Sequence, residues 1–304
     1  MEIPKINGLL AATFTPFNSY GKLNLDIIPQ YAERLQSFGL AGVFINGTTG
    51  ENSSLSHQEQ IDLIKTWAPF NSPEFKVIAM VSGTNQHQGV ELAALSQKLN
   101  LFGISANAPY YIKPQSVEQL VNFLTPIAEA APTTPFYFYH IPLLTQVYFS
   151  MINFLEESRS RIPNLAGIKY THNDLMELNQ CIRFAEGAYD ILWGWDEMLL
   201  AGLTMGVNGG VGSTYNFAAP LYIKLLDAFK KGDLEKAKTL QEISVDIISH
   251  YPKYGGAAAG KALMDTIGLN LGNLRPPGTK LSDHQKDDLI QNLQKKGLLD
   301  FLNY

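Results

Sequence analysis

Residues 165–171 read Leu-Ala-Gly-Ile-Lys-Tyr-Thr, a short run that is apolar almost throughout and closes on polar groups. A strand with one wet face alternates apolar and polar residues, whereas a strand covered on both faces is apolar nearly without interruption. The same pattern recurs at 8–17, 42–48, 76–82, 103–109, 136–142, 189–195 and 209–215. Amphipathic helical spacing separates the runs. It covers 25–38 (Ile27, Ile28, Tyr31, Leu35, Phe38), 57–70, 88–101 and 116–130, and is short and less regular around 149–157. Eight buried strands, each followed by a helix, predict an α/β protein of the (β/α)8 TIM-barrel class. A doubly wound sheet competes less well, because no Gly-x-Gly-x-x-Gly follows the first strand.

Beyond Lys231 the strand signal stops. Residues 233–250, 255–267 and 282–302 carry helical patterns, with Ser282 placed to cap the last helix and Asp283 in its first turn. Pro276-Pro277-Gly278 interrupts the chain just before it. The expected organisation is a barrel over 1–231 and a C-terminal helical appendage over 232–304, packed on the barrel as part of one structural domain.

The bulk properties narrow the function classes. The chain has 304 residues, 45% hydrophobic and 17% charged, with a net charge of −5, and no cluster of lysine or arginine marks a nucleic-acid or anionic membrane surface. Met1-Glu2-Ile3-Pro4-Lys5 lacks the basic segment and apolar run of a secretory signal. No apolar stretch approaches the ~20 residues that span a bilayer. The single cysteine, Cys181, has no internal disulfide partner and sits in a helical pattern with Leu178 and Ile182, as a core thiol would. A cytoplasmic protein without nucleic-acid or membrane partners is expected.

In barrels of this kind the chemistry lies at the C-terminal ends of the strands. Lys169 is the lysine that sits near the end of an apolar strand. Lys76 opens its strand and so belongs to the opposite rim, and the other lysines fall in loops or on polar helix faces. An amine held inside a barrel is desolvated, which lowers its pKa and frees it to attack carbonyls. A structural lysine paired across the barrel is the plainer alternative. Tyr139 lies on the neighbouring strand, where a phenol can move protons, although Tyr137 and Phe138 beside it also describe a merely aromatic strand. Gly47-Thr48-Thr49-Gly50-Glu51 joins a strand to a helix, and its hydroxyls and free N–H groups can bind a carboxylate or simply cap a turn. Only His140 and His172 among the six histidines fall at strand C-terminal ends, and no metal-binding motif appears, so no metal is expected.

The ordered set Gly47-Thr48-Thr49-Gly50-Glu51, Tyr139-His140-Ile141-Pro142, Gly167-Ile168-Lys169 and Gly212-Ser213-Thr214-Tyr215-Asn216 resembles the N-acetylneuraminate lyase and dihydrodipicolinate synthase family over nearly the whole chain. Within it the chain is similar to the sialic acid-cleaving branch, and to animal members in particular. The synthase branch carries an arginine shortly after its Tyr-Asn-x-Pro motif; here Leu143-Leu144-Thr145 follows. Gly194-Trp195-Asp196-Glu197 matches the lyase pattern Gly-x-Asp-Glu, and His140 replaces the bacterial asparagine. Thr48 stands where many bacterial members have serine. Trp195 replaces a smaller residue or a tyrosine, which narrows the expected pocket.

The resemblance implies a carbon–carbon lyase, a Schiff-base aldolase that reversibly cleaves N-acetylneuraminate to pyruvate and N-acetylmannosamine. Another pyruvate-dependent aldolase or hydratase-aldolase, acting on a different 2-keto acid, is the alternative. It implies that Lys169 forms the imine and Tyr139 assists proton transfer. Thr48, Thr49 and the Tyr139 hydroxyl would hold the pyruvyl carboxylate, and Thr171, Gly194, Asp196, Glu197 and Ser213 the polyol tail. It further implies no cofactor or metal, a homotetramer of two tight dimers, and a tyrosine, Tyr111 or its neighbour Tyr110, reaching into the adjoining subunit's site.

Overall fold

A computed structural model describes residues 5–302 of the chain; the N-terminal reading at Met1–Pro4 lies outside the described residues. Eight parallel strands close into a barrel in chain order: β1 (Gly8–Ala12), β2 (Gly42–Ile45), β3 (Lys76–Ser82), β4 (Gly103–Asn107), β5 (Phe136–His140), β6 (Leu165–Tyr170), β7 (Asp190–Trp193) and β8 (Gly209–Gly212). β1 pairs with both β2 and β8, which completes the ring.

The strand period of two sorts side chains into two cores. Leu10, Phe44, Ile78, Met80, Tyr137, Tyr139, Leu192 and Val211 fill the barrel interior. Val43, Ile45, Val77, Phe136, Phe138 and Ile168, one step out of phase, face the helical ring. Burial on both sides explains the unbroken apolar runs. The N-terminal mouth is plugged by Asp190, whose carboxylate accepts from the Ile6 N–H at 3.0 Å and the Tyr137 hydroxyl at 3.1 Å.

The outer helices are α1 (Ile28–Ser37), α2 (His57–Trp67), α3 (Gln86–Lys98), α4 (Val117–Glu129), the single turn α5 (Pro142–Thr145), α6 (Met151–Ser158), α7 (Leu175–Arg183), α8 (Leu199–Met205) and α9 (Tyr215–Lys230). Their starts follow capping chemistry: the side chains of Ser56, Asn85, Ser116 and Asp174 each accept an N–H from the first turn that follows. Beyond the barrel run α10 (Leu234–Ile248), α11 (Ala257–Thr266) and α12 (Asp283–Lys295). Ser282 caps α12 in a reciprocal box with Gln285, as its sequence position suggested. Cys181 is fully buried in α7, and desolvation pushes its thiol up to about 12.

Two expectations need correction. The first strand stops at Ala12, not residue 17. The chain then leaves the sheet, and the Phe17 N–H bonds to the Leu271 carbonyl at 3.0 Å, so Phe14 and Phe17 are apolar because the C-terminal segment covers them. Other strand runs were also read too long, as at 209–215, where Tyr215 already opens α9. Second, not every other lysine lies in a loop or on a polar face: Lys261, in α11, is only 3% exposed. Its helix reads Ala-Ala-Ala-Gly-Lys-Ala-Leu-Met, apolar around its whole circumference, and that was the available signal.

Candidate active site

β5 and β6 run in register, with Tyr139 opposite Lys169, and both side chains point inward near the C-terminal mouth. The Lys169 amine lies 4.1 Å from the centre of the Phe44 ring and 3.9 Å from that of Tyr139. Lys169 is 4% exposed. Burial away from water penalises its charged form and lowers its pKa to about 7, with the charge of Asp196 opposing the shift. A large fraction of the amine is therefore uncharged near neutrality. The plainer alternative of a tight ion pair does not describe it, since aromatic faces form its immediate surroundings and Asp196 acts only through its field.

The Tyr139 hydroxyl lies 3.4 Å from Thr48 Oγ1. Desolvation pushes the phenol up to about 12, against the pull of the Thr48 and Thr171 hydroxyls. It stays protonated near neutrality and can pass a proton on only while receiving another.

A cavity of about 300 Å³ opens over the amine. Its wall brings together Thr48, Thr49, Tyr139, Lys169, Thr171, Gly194, Asp196, Glu197 and Ser213, every residue of the single-chain set read from the sequence. Thr48 and Thr49 stand on a loop folded on itself: the Glu51 N–H reaches the Thr48 carbonyl at 3.0 Å, and Thr15 Oγ1 donates to the Gly50 carbonyl at 2.6 Å. Two glycines are demanded by close approach. A Cβ on Gly194 would come within 1.9 Å of Thr171 Oγ1, and one on Gly212 within 1.8 Å of Asp196 Oδ1.

Asp196 is engaged differently from a free sugar ligand. It is 5% exposed, and its carboxylate accepts the Thr214 N–H at 2.8 Å and the Thr214 hydroxyl at 2.6 Å. Burial raises it to about 6 despite these bonds. It holds the β8 loop, and Glu197 and Ser213, half-buried on the wall, are the more open polar groups. Asn216 ties that loop to β1, donating to the Ala12 carbonyl at 2.8 Å and the Ser213 carbonyl at 2.7 Å.

Tyr111 is 87% exposed and is not part of this cavity's wall. Tyr110 lines a second cavity of about 230 Å³ beside Thr48 and Asn107. His140 and His172 meet edge to face at 5.5 Å, and burial drives His140 down to about 3, as a packed neutral imidazole.

Sequence reasoning missed Phe44, Thr214, Ile248 and Tyr251. Phe44 could have been found from the inward phase of its strand, and Thr214 lies within a quoted motif. Ile248 and Tyr251 reach the cavity from the end of α10 and the turn beyond it, where no local pattern announces a site.

A (β/α)8 barrel with a desolvated lysine and a phenol on adjacent strands, facing a hydroxyl-lined cavity, defines a class of carbonyl-capturing enzymes. The chain belongs to the dihydrodipicolinate synthetase family, whose model matches residues 5–296. It is 39% identical to N-acetylneuraminate lyase of Gallus gallus, covering 90% of each chain, and 35% identical to that of Homo sapiens, covering 99% of this chain and 94% of the relative. Its fold matches Proteus mirabilis N-acetylneuraminate lyase with a TM-score of 0.93 at 34% identity, over 97% of this chain and all of that one.

Proposed function

We propose that the chain is a Schiff-base aldolase that cleaves N-acetylneuraminate reversibly to pyruvate and N-acetylmannosamine. The observation that carries the reading is the Lys169 amine, buried over aromatic faces and lowered to about 7 at the base of a cavity lined by hydroxyls. The full-length likeness to animal and bacterial lyases of that name supports the substrate.

Lys169 attacks the C2 carbonyl of the open-chain sugar acid and expels water, leaving a protonated imine. Tyr139, relaying through the substrate carboxylate, takes the C4 hydroxyl proton. The C3–C4 bond breaks, its electrons flow into the imine to form an enamine, and N-acetylmannosamine leaves as the aldehyde. Protonation at C3 and hydrolysis of the imine release pyruvate and the free amine. The imine does the electronic work, so the scheme calls for no cofactor. Thr48 and Thr49 hold the carboxylate. Glu197, Ser213, Thr171 and the Gly194 backbone hold the polyol, with Asp196 keeping the wall in shape. Buried polar partners for hydroxyls discriminate strongly, because a missing hydroxyl leaves them unpaired.

The chain works as a homotetramer of two dimers. Tyr111, Ile112, Leu143, Leu144 and Tyr148 are 87%, 82%, 62%, 55% and 58% exposed at the rim beyond β4 and β5, an apolar surface that a second copy would cover. Tyr111 is the residue offered to the neighbour, while Tyr110 remains in its own chain's second cavity. Residues 232–304 act as an appendage to the barrel over 1–231. No helix among the described residues is long and apolar enough to cross a membrane, and a cytoplasmic setting suits the substrate.

Borohydride reduction in the presence of pyruvate, followed by peptide mass spectrometry, tests the chemistry. A stable adduct on Lys169 is expected in the natural chain and is lost in Lys169→Ala. A folded protein that traps no pyruvate would remove the aldolase reading. A panel of acceptor aldehydes, in the condensation direction, separates N-acetylmannosamine from the acceptors of related aldolases.

A further inference from the structure

We propose that Glu51, Lys261 and Arg275 are positioning residues through which the C-terminal segment sets the carboxylate-binding hydroxyls of Thr48 and Thr49. The proposal rests on the aldolase reading and extends it to residues some two hundred positions away in the chain.

Glu51 closes the loop that carries both threonines and sits in the left-handed region, at φ 58°, a conformation disfavoured for a residue with a side chain. Something must hold it there, and its carboxylate is gripped at both oxygens. Oε1 lies 2.9 Å from Lys261 Nζ, with side chains only 10% and 3% exposed. Oε2 accepts the Arg275 backbone N–H at 2.8 Å. Lys261 Nζ also donates to the Thr15 carbonyl at 2.8 Å, and Thr15 in turn donates to the Gly50 carbonyl at 2.6 Å. One buried ammonium thus fastens the loop at two points, the Glu51 carboxylate directly and the Gly50 carbonyl by way of Thr15.

Arg275 fixes the far end of the strap. Its guanidinium donates to the Ser54 carbonyl and to Glu59 at 2.8 Å each, and to the Gly21 carbonyl at 2.7 Å, so it spans the turn and the start of α2 that follow the loop. Both cations lie over one ring, Lys261 Nζ at 4.5 Å and the Arg275 guanidinium at 4.3 Å from the Phe17 centroid. The apolar end of the β1 run thus forms the anvil against which α11 and residue 275 hold the loop. Lys261 and Arg275 do not line the cavity over Lys169, so they act on the threonines indirectly: Lys261 through Glu51 and the Thr15–Gly50 link, and the Arg275 side chain through Ser54 and Glu59.

The test uses full-length Lys261→Met and Arg275→Gln. Four quantities are read: pyruvate for half-maximal borohydride-trapped adduct, KM for pyruvate, KM for N-acetylmannosamine in condensation, and Tm. A shift of the threonines weakens capture of the carboxylate. Half-saturation by pyruvate is expected to rise about tenfold or more in Lys261→Met and about threefold in Arg275→Gln, with the acceptor KM within about twofold. A merely structural strap would lower Tm and leave both KM values unchanged in the folded fraction, and that result overturns the proposal. Should Lys261→Met fail to fold, Arg275→Gln decides on the same criterion, because its side chain is 19% exposed and Lys261 stays in place. Absence of any adduct in the natural chain removes the aldolase reading and this proposal with it; normal trapping with unmoved pyruvate saturation removes this proposal alone.

Discussion

Two side chains divide the chemistry of this site by what burial does to each. Desolvation disfavours charge, so it moves Lys169 down to about 7 and Tyr139 up to about 12. An amine so lowered can act as a nucleophile, and a phenol so raised stays protonated and can carry a proton in the proposed scheme. Tyr139→Phe removes the carrier and leaves the amine, so turnover should fall by roughly 10²–10⁴ while pyruvate trapping on Lys169 persists. Equal turnover in steady-state assays would reject the role of Tyr139. The amine also sets a pH dependence. Protonated Lys169 cannot attack, so the rate of pyruvate capture should climb with pH and level off above about 7. A flat profile from pH 5 to 8 in single-turnover trapping would contradict it. The same shift has a sign for stability. Between about 7 and the ordinary 10.5 the unfolded chain holds a proton that the folded chain has released, so stability rises with pH across that window.

The strands place these groups by parity and register. Tyr139 faces inward because Phe136 and Phe138 face the helices, and pairing of Tyr139 with Lys169 fixes them side by side. The chain pattern of β6 made Lys169 conspicuous, because a lysine near the end of a run buried on both faces has no ordinary reason to be there. The limits of β1 were harder to see: Phe14 and Phe17 continue the apolar run, but their cover comes from residues near Leu271. The start of the last helix is legible at Ser282, since a cap is a local interaction. Ser282→Ala should therefore cost about 1 kcal/mol, read as a lower urea midpoint, because the Gln285 N–H loses the hydroxyl it meets at 3.3 Å. Pyruvate trapping should be unaffected, as the described cavity wall takes no residue from α12; a change there would show that the appendage reaches the site by a further route.

Across the molecule, the C-terminal helices serve two ends of one cavity. The end of α10 and Tyr251 close part of its wall, and α11 with Arg275 braces the loop of Thr48 and Thr49. The rim beyond β4 and β5 has the opposite character, with large apolar side chains left open, Tyr111 foremost at 87% exposed. If copies meet there, light scattering should give a multiple of the 33.6 kDa chain mass, and Ile112→Glu with Leu143→Glu should reduce it. Monomeric behaviour of the unmodified chain at micromolar concentration would set aside the assembly and the shared role of Tyr111.

The barrel class and the polar groups at the strand ends could both be read from the order of residues. They follow from short-range periodicity and from the rule that a doubly covered strand is apolar throughout. Lys169, Tyr139 and the residues gathered around them were legible for that reason. Folding alone revealed the engagement of Asp196 by Thr214, the reach of Tyr251 into the cavity and the grip of Lys261 on Glu51. Each joins groups from separate elements, and such a contact depends on the closing geometry of the chain, which leaves no periodic trace in either partner's neighbourhood.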